Sequence, residues 1–216
     1  MISLVLIILC SYLVGSIPTA IWTSRIVMKD DVRNHGSKNA GATNVFRVMG
    51  WKPALIVVLV DMAKGVLAVL LIAKIRLDSV PLNNASFIQI LAGIAAIFGH
   101  IWTVFAGFKG GKGVGTAFGV LVALIPVPAL IALGLWIVLV WLTRIVSVSS
   151  MIAAVSLPVS ILVQRALGVT VPNVLLCIAL IVAALIVFTH RSNIGRLIRG
   201  EENRFGSRST NEDNDI

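Results

Sequence analysis

Three polar segments in an otherwise apolar chain hold the residues able to do chemistry. They are HGSKNAGATNVFR at 35–47, GHIWTVFAGFKGGKG at 99–113 and HRSNIGRLIRGEE at 190–202. Between them they contain all three histidines of the chain, His35, His100 and His190. In the second segment, Gly110, Gly111 and Gly113 lack a Cβ, so the backbone can approach a ligand closely. The loop opens a helix near Val114, where free N–H groups and the helix dipole favour an anion. Lys109 and Lys112 add two positive charges, and the loop has the outline of a phosphate site. It is not a Walker A loop, because Ala106 replaces its first glycine and Gly113 occupies the Ser/Thr position that magnesium needs. A tight inter-helix turn with basic flanks would show the same glycines.

In the first segment Ser37, Asn39, Thr43 and Asn44 offer hydroxyl and amide groups. Gly36 and Gly41 allow tight turns, and Arg47 can hold a phosphate through its planar fork. A solvated loop in which Thr43 or Asn44 caps a short helix is the plainer alternative. In the third segment His190, Asn193 and Arg196 are spaced by three, so on a helix continuing from the preceding span neighbours in the series share a face. That face would join an imidazole, an amide and a guanidinium, while Arg191 and Arg199 anchor the helix end at lipid headgroups. Asp61 and Lys64 are also spaced by three, inside an apolar run. Ionisable groups at that depth pair or face a polar cavity, and a structural ion pair is the expectation here. His100 makes either a structural hydrogen bond or a contact to substrate phosphate.

These segments must be positioned by a membrane-embedded scaffold. Of 216 residues 58% are hydrophobic, 12% are charged, and the mean hydropathy is +1.00. Soluble domains average about 25% charged residues, and this much apolar surface calls for the bilayer as solvent. The net charge of +9 does not indicate nucleic acid, because the basic residues flank apolar spans rather than forming a soluble face. Cys10 and Cys177 sit within apolar runs as small buried hydrophobes, not as a disulfide or metal pair. No side-chain charge precedes Arg25, so the first apolar stretch reads as a retained span with its N-terminus outside.

The expected spans are residues 2–22, 53–75, 85–106, two within 113–143, 146–162 and 174–188. A single helix over 113–143 would be about 46 Å long, against a hydrocarbon core of about 30 Å. Pro126 and Pro128 sit mid-way, which predicts two short helices joined by a proline turn. Splitting this stretch places 14 of the 18 Lys and Arg residues on the cytoplasmic side, including the basic C-terminal segment. Lys74, Arg76 and Arg165 fall outside, with Asp78 and a turn at 81–84 in the first outer loop. The expectation is thus an all-α integral membrane protein, a seven-transmembrane-helix bundle with the N-terminus outside and the C-terminus cytoplasmic. It forms one domain over 1–205, followed by a polar, disordered tail at 206–216. All three polar segments then share the cytoplasmic face.

On these residues the chain resembles the PlsY family, the bacterial acyl-phosphate:glycerol-3-phosphate acyltransferases. The likeness rests on GSKNAGATNVFR at 36–47, GH at 99–100 leading to FKGGKG at 108–113, and HRSNIGRLIRGEE at 190–202. It extends to a DxxKG element at 61–65 and a VSxxS element with Ser147 and Ser150, and it covers the chain from the first span through Glu202. Ala40, where many members have proline, and Gly115, where alanine is common, are mild departures that remove no functional group. The resemblance implies transfer of a fatty acyl group from acyl phosphate to the sn-1 hydroxyl of glycerol 3-phosphate. The products would be lysophosphatidic acid and phosphate, formed at the cytoplasmic face of the bacterial inner membrane without direct use of acyl-CoA or acyl carrier protein.

It assigns catalysis to His190, Asn193, Lys109 and Lys112. Substrate binding falls to Ser37, Asn39, Thr43, Asn44, Arg47, His100, Gly110, Gly111, Gly113, Ser147, Ser150, Arg196 and Glu202. The expected division has the Gly110–Gly113 backbone with Lys109 and Lys112 holding the acyl-phosphate head. Ser37, Arg47 and the His190–Asn193 face would hold glycerol 3-phosphate. An acyl phosphate is already activated, so no enzyme nucleophile is needed, and no GxSxG elbow occurs. The HxxxxD pair of soluble-type acyltransferases is excluded, because Ala40, Phe105 and Gly195 stand five residues after the three histidines. The general base is either His190 or a phosphate oxygen of the substrate. No metal or cofactor is expected: with nine Asp and Glu and no DxxDG run, a metal-dependent CDP-alcohol phosphotransferase is disfavoured. A phosphate transporter would place its site nearer the bilayer midplane, and a non-enzymatic scaffold leaves three converging polar segments unexplained.

Overall fold

The computed structural model describes residues 2–77 and 85–205. Asp78, the expected turn at 81–84 and the tail at 206–216 lie outside the described residues. Every regular element among the described residues is helical. The first apolar run does not stay one straight helix, as expected over 2–22. It forms α1 (Ile2–Gly15) and α2 (Thr19–Val27), because Pro18 has no N–H to continue the ladder. The break frees the Ile17 carbonyl, which accepts a hydrogen bond from Lys64 Nζ at 2.5 Å.

The polar segment that follows contains a short helix, α3 (Ala42–Met49), closed by Gly50 at φ +84°. Then come α4 (Trp51–Leu70) and α5 (Ala85–Ile101), each followed by a 3₁₀ turn, Ile72–Lys74 and Val104–Ala106. The long uncharged stretch is broken where the prolines predict. It forms α6 (Val114–Leu124) and α7 (Pro126–Thr143), with Pro126 at the start of the second. The last elements are α8 (Val146–Ala166), α9 (Asn173–Thr189) and α10 (Arg191–Ile198). The chain bends by 55° between α9 and α10, so the third polar segment is not a straight continuation of the last span.

Five segments are long and apolar enough to cross a membrane, and α9 with α10 makes a sixth if the bent pair is one span. The remaining apolar helix, α6, has 11 residues. That is about 16 Å of helix, roughly half a hydrocarbon core. It packs deep in the molecule instead of facing lipid along its length. A Cβ added at Gly119 would overlap the Met62 carbonyl, and one at Gly65 the Thr116 carbonyl, so α4 and α6 touch backbone to backbone. Gly15 and Gly99 do the same for α1 and α5, against Ala96 and Tyr12. Inside a bilayer the hydrophobic effect does not drive helices together, and such small-residue crossings supply the packing instead. Large side chains such as Leu130, Trp141 and Leu162 stay exposed, as lipid-facing positions should.

Candidate active site

The glycine-rich loop is built on the end of α5. Gly107 and Phe108 both adopt left-handed conformations, φ +64° and 59°, and fold the chain back on itself. The Gly110 N–H then donates to the Ile101 carbonyl at 3.0 Å and the Gly111 N–H to the His100 carbonyl at 3.1 Å. A side chain at Gly110 would overlap the His100 carbonyl, and one at Gly111 the His100 ring and the Ala40 carbonyl. These two amides therefore satisfy the last carbonyls of α5 and are not free to cradle a phosphate, a correction to the expected role of the loop. The amides of Lys112 and Gly113 and the first turn of α6 have no protein acceptor among the described residues. Gly113, at φ +84°, starts α6 with no side-chain cap, so the dipole end is open.

Lys112 is where this loop joins the third polar segment. Its Nζ donates to Asn193 Oδ1, and its carbonyl accepts from Thr189 Oγ1 at 3.0 Å. Asn193 Nδ2 donates onward to Glu202 Oε1 at 2.6 Å, where Ser147 Oγ also donates at 2.9 Å. Arg196 Nε donates to the other oxygen, Glu202 Oε2, at 2.8 Å. One carboxylate thus gathers side chains from α8 and α10, and through Asn193 the glycine-rich loop. Burial pushes the Lys112 ammonium down to about 8, with the Arg196 charge adding to the fall and Glu202 opposing it. Burial also lowers Arg47, with Glu202 opposing and Arg196 reinforcing the effect, so Arg47 belongs to the same cluster. Three cations therefore surround one buried carboxylate, a net positive site.

His190 lies just past α9, where the chain bends. Its Nδ1–H donates to the Ile186 carbonyl at 2.7 Å in the tautomer that satisfies both groups, leaving the lone pair on Nε2. Burial, then the nearby Lys112 charge, pushes its pKa down to about 4. It is therefore neutral at physiological pH, a hydrogen-bond acceptor beside a cationic cluster.

The first polar segment is partly scaffold. Asn44 is buried, its Oδ1 accepts the Ser37 N–H at 2.8 Å, and its Nδ2 donates to the Val32 and His35 carbonyls at 3.0 Å each. Its amide is fully used in shaping the loop. Gly36, at φ +56°, is required there because a Cβ would overlap Asn44 Oδ1. Among the described residues the Ser37 and Thr43 hydroxyls, the Asn39 amide and the Arg47 guanidinium make no hydrogen bond and remain available. Ser150 Oγ accepts from Trp136 Nε1 at 3.1 Å, which ties α8 to α7, whereas Ser147 reaches Glu202. Lys109 is exposed and outside the Lys112 network.

Asp61, Lys64 and His100 form the second polar cluster, under the loop. Lys64 Nζ meets Asp61 Oδ1 at 2.6 Å, and His100 Nδ1 lies 3.6 Å from the same oxygen. All three are buried. This is the ion pair expected inside the second span, extended by His100, whose ring packs against Gly111. No group of three His, Cys, Asp or Glu among the described residues is placed to hold a metal. The sequence did not reveal Phe205. Its ring stacks on Phe46 at 4.5 Å and its N–H donates to the Arg144 carbonyl at 2.6 Å, which straps the Glu202 segment against α3. No sequence signal marks it, since a lone aromatic at the edge of a polar tail has no periodicity.

The glycerol-3-phosphate acyltransferase family model matches residues 5–200. The chain belongs to this family. A glycerol-3-phosphate acyltransferase of Chlorobium luteolum is 43% identical over 94% of this chain and 97% of its own length. One of Chlorobium limicola is also 43% identical, over 97% of this chain and all of its own. Two crystal structures of PlsY (YgiH), described as an integral membrane glycerol 3-phosphate acyltransferase, share the fold. The glycerol 3-phosphate form has a TM-score of 0.78 at 37% identity, and the lysophosphatidic acid form 0.79 at 35%. Both cover 94% of this chain and 96% of the neighbour. Its apolar helices and its integral membrane neighbours make this member of the family a multi-pass membrane protein.

Proposed function

We propose that the chain transfers a fatty acyl group from acyl phosphate to the sn-1 hydroxyl of glycerol 3-phosphate. The observation that carries this reading is the cluster of Arg47, Lys112 and Arg196 around Glu202, with neutral His190 beside it, in a chain of this family. Two phosphate-bearing substrates must sit side by side, and a site with three cations against one carboxylate offsets their charge. Lys112 and the open start of α6 hold the acyl-phosphate head. Arg47, Arg196 and the free hydroxyls of Ser37 and Thr43 hold glycerol 3-phosphate.

In the reaction the sn-1 oxygen attacks the acyl carbon, a C–O ester bond forms, and the bond from that carbon to the phosphate oxygen breaks. Inorganic phosphate leaves with the electron pair, and the hydroxyl proton passes to a base. His190 Nε2 accepts a hydrogen bond from the neighbouring sn-2 hydroxyl, which orients the glycerol and leaves the sn-1 proton for the base. A histidine held down to about 4 is a weak proton acceptor, whereas a phosphate monoester has a second pKa of about 6. The substrate's own phosphate is therefore the stronger base. Rate enhancement comes from proximity and from charge placed against the developing oxyanion. No acyl-enzyme is needed, because an acyl phosphate is already activated; Cys10 and Cys177 belong to α1 and α9, and no base is bonded to the Ser37 or Thr43 hydroxyl among the described residues.

The reading includes a seven-crossing bundle in the bacterial inner membrane, one domain over 1–205, with the N-terminus outside and the site at the cytoplasmic face. The α6 helix makes its crossing together with the glycine-rich loop that precedes it, since only Ile125 separates it from α7. The fatty chain lies in the inner leaflet or between helices, and neither metal nor cofactor is needed. Purified protein mixed with palmitoyl phosphate and glycerol 3-phosphate tests the proposal. The expected result is equimolar phosphate and lysophosphatidic acid; neither product from well-folded protein would refute it.

A further inference from the structure

Arg33 belongs to none of the three polar motifs, yet it reaches into the glycine-rich loop. The residue sits in the 3₁₀ turn Val32–Asn34 that follows α2. Asp31 grips its guanidinium along one edge with both oxygens, Nε to Oδ1 at 3.0 Å and Nη2 to Oδ2 at 2.7 Å. Paired this way, a planar fork has a fixed orientation. The remaining nitrogen, Nη1, donates to two carbonyls of the loop, Ala106 and Lys109, at 3.1 Å each. The turn itself is held: the Val32 N–H donates to Ser24 Oγ, and the Val32 carbonyl accepts from Asn44 Nδ2, both at 3.0 Å.

The two carbonyls bracket the left-handed pair Gly107 and Phe108. Gly107 adopts such a conformation freely, but Phe108 does so against its own Cβ and depends on surroundings that hold it. On one side α5 holds the loop through the Gly110 and Gly111 amides. On the other side Arg33 holds it through carbonyls. Three residues beyond Lys109 stands Lys112, and then α6 begins.

We propose that Arg33, oriented by Asp31, is a positioning residue for acyl transfer, clamping the Gly107–Phe108 step and thereby setting Lys112 and the start of α6. The inference rests on the reading that this loop binds the acyl-phosphate head. It adds that the clamp registers the acyl-phosphate loop against the segment holding Ser37 and Arg47, so the two substrates meet in line.

Steady-state kinetics with palmitoyl phosphate and glycerol 3-phosphate, on the full chain in detergent, test it. Arg33→Ala should raise KM for palmitoyl phosphate about tenfold or more, since small displacements of a positioning element are costly. KM for glycerol 3-phosphate should change by less than about twofold. Arg33→Lys keeps the charge but not the fork, and should show most of the same split; it serves where the alanine variant fails to fold. Adding Asp31→Asn to Arg33→Ala should cost nothing further, because the two residues act as one unit. Arg25→Ala is the control, as Arg25 meets Asp31 at 3.4 Å, is 61% exposed and makes no bond to the loop. Amide hydrogen exchange at 108–111 should quicken in Arg33→Ala while α4 is unchanged. Equal rises in both KM values, or unchanged KM values with a lower melting temperature, would overturn the proposal. If wild-type protein transfers no acyl group, the acyl-transfer reading fails. Exchange alone then decides the clamp, and unchanged protection at 108–111 overturns it.

Discussion

Lys112 carries its charge in a place that disfavours it, and that should appear as an alkaline limb in the rate profile. Burial and the neighbouring arginines bring its pKa from 10.5 to about 8, against the pull of Glu202. A group titrating there is about nine-tenths protonated at pH 7 and about one-tenth at pH 9. The glycerol 3-phosphate monoester has a second pKa of about 6, and the acyl phosphate, whose acyl group withdraws electrons, a lower one, so both are mainly dianions across this range. If a protonated Lys112 binds the acyl-phosphate head, kcat/KM for acyl phosphate falls about tenfold from pH 7 to pH 9, because kcat/KM reports the free enzyme. Stability runs the other way. The folded state releases this proton more readily than the unfolded chain, so between about pH 8 and 10.5 the contribution of Lys112 to stability rises with pH. Loss of rate in that window therefore does not come from Lys112-driven unfolding. Initial rates from pH 6.5 to 9.5 in wild type and Lys112→Arg provide the assay. Arginine stays charged throughout, so the variant should be slower and flat. Glu202→Gln removes the charge that supports the ammonium and should move the limb to lower pH. An unaltered limb in Lys112→Arg would refute the assignment.

Asn44→Ala should lower the unfolding free energy by about 2–4 kcal/mol, since three hydrogen bonds to the loop backbone are lost together; denaturant titration in detergent measures it. Gly119→Leu should cost more than a typical surface change, because its side chain must displace the Met62 carbonyl and part α6 from α4. Its melting temperature should fall sharply, with Gly134→Leu, which has open space, as the near-neutral comparison. His190→Gln should keep measurable turnover, as the amide can still accept the substrate hydroxyl; loss as complete as that of Lys112→Ala would restore histidine as the base. A reporter fused after Pro128 should score as periplasmic. A cytoplasmic score would remove the shared face of the three polar segments.

The division between what the sequence shows and what it hides is clearest at the two loop lysines. Charge and spacing place Lys109 and Lys112 alike, three residues apart on one glycine-rich turn, and both read as phosphate ligands. The difference comes from the backbone. With Gly107 and Phe108 left-handed and two amides bonded to α5, the chain turns Lys112 inward to Asn193 and leaves Lys109 exposed. Periodicity captures neither event, because both depend on where α5 ends relative to α9. The same holds for Asn44, whose amide reads as a ligand by type but is used up by Val32, His35 and Ser37. Features set by local chemistry were legible: the proline break at Ile125–Pro126, the buried Asp61–Lys64 pair and the convergence of Asn193 and Arg196. The break at Pro18 was equally local, but hydropathy averages across it, and its purpose lies in a lysine 46 residues further on that takes the Ile17 carbonyl. Glycines divide in the same way. At Gly110 and Gly111 the missing side chain serves packing against α5, whereas from Lys112 onward the loop has amides to offer an anion. In the proposed reaction the phosphate-binding part of the motif is thus its last two residues and the helix they start, and the glycines before them bring that helix end to the site.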